Sequence, residues 1–162
     1  MDKPMMTKKV ILSLFATLLI SFTTHASNPA ATDNGLISMK SHYDVTTTAD
    51  RLVDALKEKG MTTFARIKHS EAAGSVGITL RPTELVLFGN PKVGSPLMVC
   101  QQSAAIDLPQ KALISEDQHG LVWLTYNDPN YLKARHNIMG CDEVISKISK
   151  ALNMFATKAT QP

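Results

Sequence analysis

Leu108-Pro109-Gln110-Lys111-Ala112-Leu113-Ile114-Ser115, then Glu116-Asp117-Gln118-His119-Gly120, then Leu121-Val122-Trp123-Leu124-Thr125-Tyr126 is the stretch from which the fold is read. Two strand-like runs flank five polar residues ending in glycine, which is the pattern of a β-hairpin with a five-residue loop. Directly after it, Asp128-Pro129 starts a helix through Leu132 and His136, with aspartate as the cap and proline where a missing amide costs nothing. Upstream, Ile78 to Phe88 is β-branched and apolar except at Arg81-Pro82. Proline cannot donate to a ladder, so a bulge, bend or edge is expected there. Gly89-Asn90-Pro91 is turn chemistry, and Ser95-Pro96 begins a short helix carrying Leu97, Met98, Val99 and Cys100.

Outward from this centre the chain alternates between strands and helices. Leu36, Ile37, Met39 and Tyr43 form a strand-like segment. Ala49, Leu52, Val53 and Leu56 recur at helical spacing, with Thr46 to Thr48 as N-caps and Gly60 as the stop. Met61 to His69 reads as another strand, and Glu71 to Ser75 as a small-residue loop hinged at Gly74. Near the C-terminus Asp142 caps a helix whose Val144, Ile145, Ile148, Leu152 and Phe155 make one apolar stripe, and the chain frays after Ala156. The expected organisation is a single α+β domain over residues 35–157 and a disordered tail over 158–162. No internal repeat and no linker divides it.

The whole chain has 162 residues, 44% hydrophobic and 19% charged, with two cysteines. This composition excludes a disulfide-dense miniprotein, a low-complexity chain and a polytopic membrane protein. Lys3, Lys8 and Lys9 precede an apolar run from Val10 to Phe22, followed by small or polar residues to Ala26, which is the order of a secretory signal. Thr24 and Ala26 suit a cut before Ser27, and the run is short of the roughly 20 residues that span a bilayer. Residues 1–26 are therefore expected to be a signal peptide, 27–34 a flexible lead-in, and the mature protein periplasmic or secreted with no stable membrane span. Removing three lysines and one aspartate with the leader lowers the formal charge from +3 to +1. No basic run remains to cover a phosphate backbone, so nucleic acid is not an expected partner.

Three groups of residues carry a family likeness. They are Ile67-Lys68-His69 with Glu71-Ala72-Ala73; Leu80 to Leu85 running into Phe88-Gly89-Asn90-Pro91 and Gly94-Ser95-Pro96-Leu97-Met98; and Asp107-Leu108-Pro109 with Tyr126-Asn127-Asp128-Pro129 and Arg135-His136. In this order and spacing the chain resembles the domain-of-unknown-function 302 family over about residues 35 to 138. The resemblance implies an antiparallel sheet with helices packed on one face, a topology similar to the TATA-binding-protein-like fold, and a dimer. It brings almost no chemistry. Its pattern includes the histidines matched by His69 and His136 but not Cys100 or Cys141.

No G-x-S-x-G, phosphate loop, H-E-x-x-H or C-x-x-C is present. His69 and Glu71, two apart on a strand, would share a face as a His-carboxylate couple. The open readings for His69 are a general base, a metal ligand, or a strand-end histidine bonded to a carboxylate. His136 ends a short helix, where the dipole favours it, and with Arg135 it can hold a small anion or carboxylate. If these four form a site, His69, Glu71, Arg135 and His136 line one pocket. Met39, Met98, Cys100, Met139 and Cys141 are soft donors of the kind that bind copper, or ordinary core fillers. Cys100 and Cys141 are either a disulfide, as an oxidising compartment allows, or two buried thiols. His42 and His119 read as exposed, and Trp123 as a core or dimer contact. The first expectation is a non-enzymatic binding or interaction module that forms a homodimer and takes a small anionic ligand or a protein partner. The alternatives are a small enzyme or redox-linked protein using His69, Glu71 and His136, and a soft-metal or haem-related binder.

Overall fold

The structure, a computed structural model, describes Met1 and residues 34–162. The signal peptide and nearly all of the lead-in fall on residues outside that description. The elements in order are β1 (Leu36–Lys40), α1 (Val45–Glu58), β2 (Thr62–Lys68), α2 (His69–Gly74), β3 (Thr83–Gly89), α3 (Pro91–Cys100), a 3-10 segment (Gln102–Asp107), β4 (Gln110–Glu116), β5 (Val122–Asn127), α4 (Pro129–Arg135) and α5 (Asp142–Thr160). The five strands form one sheet in the order β1-β5-β4-β3-β2, antiparallel at every pairing. This is the α+β architecture, with helices on one face, that the hairpin and the family likeness led us to expect.

Alternation along the central strands fixes which face is covered. Val86 and Phe88 of β3, Ala112 and Ile114 of β4, and Leu124 and Tyr126 of β5 point to one side and are buried. Because the side-chain period of a strand is two, the residues between them occupy the opposite face. The buried face packs on Ala49, Leu52 and Leu56 of α1 and on Ile145, Ile148, Leu152 and Phe155 of α5. Both helices present the apolar stripes read from the sequence. The opposite face carries half-buried Leu85 and Leu113, paired in register, with Ile67 beside Leu85. Among the described residues no helix is long and apolar enough to cross a membrane.

Several local expectations are corrected. The N-cap of α1 is Asp44, whose carboxylate accepts from the Thr47 amide at 2.7 Å, not one of the threonines. Residues 69–74 are helical rather than a loop. α3 starts at Pro91, where Asn90 caps by accepting from the Lys92 amide at 2.9 Å, so Pro96 falls inside the helix. Cys141, not Asp142, occupies the cap position of α5. The expected disordered tail is also helix: α5 runs to Thr160, and both Ala159 and Thr160 are fully buried. Arg51 holds this end by donating to the carbonyls of Lys158, Ala159 and Gln161. The Thr160 hydroxyl donates to the Ala156 carbonyl.

Candidate functional site

The four residues expected to share a pocket are split between the two ends of the sheet. Lys68, directly before His69, pairs with Glu84 where β3 begins and β4 is ending, whereas Asp107, the partner of His136, precedes the opposite end of β4. Glu84 faces Ile114, four residues beyond Gln110, which at about 3.3 Å per residue is roughly 13 Å along the strand. His69 and Glu71 do not form a couple either. On a helix, residues two apart point away from one another, and Glu71 accepts instead from Lys68 Nζ at 2.8 Å. Both are exposed.

Arg135 and His136 do meet, around Asp107, a residue that carries the family likeness but to which the sequence reading assigns no role in the site. Asp107 Oδ2 lies 2.6 Å from His136 Nε2, and Oδ1 lies 3.4 Å from an Arg135 guanidinium nitrogen. The other imidazole nitrogen, Nδ1, is 3.1 Å from Ser103 Oγ. In the tautomer that carries its proton on Nε2, that nitrogen donates to Asp107 and Nδ1 accepts from the serine. The chain of contacts has the members of a Ser-His-Asp triad with the ring nitrogens exchanged. Its geometry is that of a fastener: Asp107 is buried, its second oxygen is shared with Arg135, and the cluster ties the 3-10 segment to the C-terminal end of α4. None of the four side chains lines a described cavity.

The soft-donor set also disperses. Cys100 and Cys141 are joined by a disulfide with their Cα atoms 6.4 Å apart, within the usual range. This removes the thiolates that a soft metal would need. Met39 packs on the core beside Thr160, Met139 is exposed, and Met98 faces a cavity. Among the described residues no three His, Cys, Asp or Glu side chains converge as metal ligands.

What the fold does build is an apolar groove of about 730 Å³ at the end of the sheet where β3 stops and β4 starts. Phe88 and Phe155 form its floor, packed edge to face with ring centroids 6.3 Å apart. α3 makes one wall and the middle of α5 the other, while Leu108 and Pro109 close the side toward the 3-10 segment. The volume lies within the range of small-molecule sites. Gly94 opens the α3 wall: a Cβ there would meet only the tip of Leu108, at 3.8 Å. The disulfide links the last residue of α3 to the residue before α5, so it ties the two walls together.

Among the described residues the lining contains no carboxylate, histidine or thiol, and Lys59 is its one charged residue. Such a lining offers apolar contact and a single ammonium group to whatever enters it. Sequence reasoning took these residues for turn and helix-start chemistry. A signal was nevertheless present. Phe88-Gly89-Asn90-Pro91, Gly94-Ser95 with Met98, and Leu108-Pro109 lie in stretches that carry the family likeness, and all of them line the groove.

Comparison with known proteins agrees with the fold. Residues 37–155 match the family described as Domain of unknown function DUF302. The crystal structure of an uncharacterized conserved protein DUF302 from Bacillus stearothermophilus superposes with a TM-score of 0.71 at 17% identity, covering 77% of this chain and 98% of that one. Over 106 residues the chain is 42% identical to a Brucella suis protein named Fluoride-specific ion channel FluC 1, which covers 65% of this chain and 42% of that protein. The Fluoride-specific ion channel FluC 1 of Brucella abortus matches at the same identity over 39% of its length. The chain thus spans about two-fifths of the length of these curated relatives.

Proposed function

The chain belongs to the family described as Domain of unknown function DUF302, and from that membership and the groove we propose a non-enzymatic binding module that holds a small apolar molecule between α3 and α5. The observation that carries the reading is the groove itself: a cavity of about 730 Å³ with an almost wholly apolar lining, set over core aromatics and kept open by a glycine. Burial of a ligand there is driven by apolar contact at about 25 cal/mol per Å². The basic, apolar, small-residue order of residues 1–26 supports export of this module to the periplasm or the secreted fraction. The channel named for the Brucella relatives belongs to proteins more than twice as long as the matched stretch, and an apolar groove is not a path for fluoride.

The test uses N-phenyl-1-naphthylamine, a neutral dye that fluoresces in apolar surroundings. The wild-type protein is expected to bind it saturably. Gly94→Leu fills the groove with a side chain that the α3 backbone tolerates, and should weaken binding at least tenfold without lowering the melting temperature, since glycine inside a helix is itself unfavourable. Equal binding by both proteins would remove the groove as the site.

A second copy of the chain is the partner we propose for the open sheet face. Ile67, Leu85 and Leu113 make an apolar row across β2, β3 and β4 on the face opposite the one that α1 and α5 cover. A twofold axis through this row would bury it in an isologous interface. Light scattering at micromolar concentration should give twice the chain mass, and Leu85→Lys should return it to one. A wild-type mass of one chain at every concentration would overturn the dimer.

A further inference from the structure

We infer that the groove's ligand is a single-chain amphiphile with an anionic head group, its chain laid over Phe88 and Phe155 and its head at Lys59; this rests on the groove reading above. The groove's charge is one-sided, because among the described residues Lys59 is the single charged residue of the lining and no carboxylate accompanies it. Lys59 has no ion pair among the described residues, and the carboxylate next to it in sequence, Glu58, is held by Lys158 at 2.6 Å. The cation therefore stands at an apolar surface with no salt bridge of its own, although the Glu58 carboxylate feels its charge.

Two helix ends flank Lys59, and neither sets the charge there. Asn90 Nδ2 donates to the Gly60 carbonyl at 3.0 Å, which brings the N-terminal end of α3 beside Lys59, where the amides of Lys92, Val93 and Gly94 already donate to Asn90. At the end of α1 the carbonyls of Leu56 and Lys57 accept from the amides of Lys59, Gly60 and Met61, so the Lys59 ammonium is the charge a head group meets. A cationic or metal ligand would meet no compensating charge in the lining, and a sugar would find few hydrogen-bonding partners. Met61, Met98 and Met154 give the groove a flexible apolar lining, suited to an alkyl chain of variable path more than to one rigid planar ring.

Three twelve-carbon probes with different heads separate the possibilities by displacement of N-phenyl-1-naphthylamine at concentrations below micelle formation. Dodecanoate should displace the dye about fivefold more tightly than dodecanol at low salt, the scale of one exposed ion pair. The advantage should shrink at high salt, and dodecyltrimethylammonium should bind weakest. Affinity should climb about fourfold for each added CH₂ and level off once the groove is full. Lys59→Ala, at an exposed position, should make dodecanoate and dodecanol equal, and Lys59→Glu should reverse their order while both variants melt as the wild type does. If the dye binds and all three probes displace it equally, or if Lys59→Glu leaves the order unchanged, the anionic head is refuted and the apolar groove stands. If the dye does not bind at all, both readings fall together.

Discussion

Opening the Cys100–Cys141 bridge removes a tie between the two walls of the groove, and its cost can be worked from the fold. The bridge spans 41 residues of sequence. In the chain-entropy account, closing a loop of that length stabilises the folded state by about 4 kcal/mol. For a domain of this size that corresponds to a fall of roughly 10–16 °C in melting temperature. Cys100 is exposed and within reach of a reductant, whereas Cys141 is buried. Reduction therefore tests the constraint without creating a cavity, and the double variant Cys100→Ala with Cys141→Ala should reproduce the effect with a small added packing loss. The assay is a thermal melt followed by circular dichroism with and without a phosphine reductant, paired with a thiol count on the unfolded, unreduced protein. The reduced protein should also hold the naphthylamine dye less tightly. Two titratable thiols before reduction, or no titratable thiols together with an unchanged melt after reduction, would refute the reasoning.

Three further perturbations test other joints of the structure. His136→Ala leaves the buried Asp107 carboxylate without its best partner and should cost about 2–3 kcal/mol in a urea titration while dye affinity stays within about twofold; lost binding with unchanged stability would make His136 a ligand contact. Gly35→Ala puts a Cβ into the ring of Tyr131 at a backbone φ of +75°, so more than about 2 kcal/mol should be lost, and a melt equal to wild type would show that Tyr131 does not pack there. Asp117 accepts from the Trp123 indole at 2.9 Å and from the amides of Leu121 and His119, which hold its carboxyl below the ordinary range. A depressed folded-state value stabilises the fold above the unfolded carboxyl value of about 3.9 and loses that contribution as pH falls through the folded value; Asp117→Asn should therefore flatten the acid limb of stability below about pH 4, followed by the fluorescence of Trp123, the lone tryptophan, and an acid limb identical to wild type would count against the contact.

The hairpin and the two amphipathic helices were legible because their signals are local. Alternation along β4 and β5, and the stripe from Ile145 to Phe155, each report one face of one element. Errors arose where two local devices compete. Asn90-Pro91 and Ser95-Pro96 both spell a cap followed by proline; the upstream pair sets the helix start because Asn90 has both the Lys92 amide and the Gly60 carbonyl to bind. The tail looked like a fraying end because what fixes Thr160 is distant in sequence: Arg51 on α1 and Met39 on β1. The site failed for a related reason. Pairing His69 with Glu71 assumed a strand where the chain turns helical, and the Asp107 that does hold His136 is 29 residues away. A groove assembled from the ends of β3 and α3, the start of β4 and the middle of α5 has no local pattern. Only the family likeness marked its residues.

The most direct test of the groove is a methyl spectrum of protein carrying ¹³C-labelled methionine, titrated with dodecanoate. Met61, Met98 and Met154 line the groove, whereas Met39 packs beside Thr160 and Met139 is exposed elsewhere. Occupation of the groove predicts saturable shifts of the first three signals and none of the other two. Shifts confined to Met39 or Met139, or an unchanged spectrum at saturating dodecanoate, would contradict it.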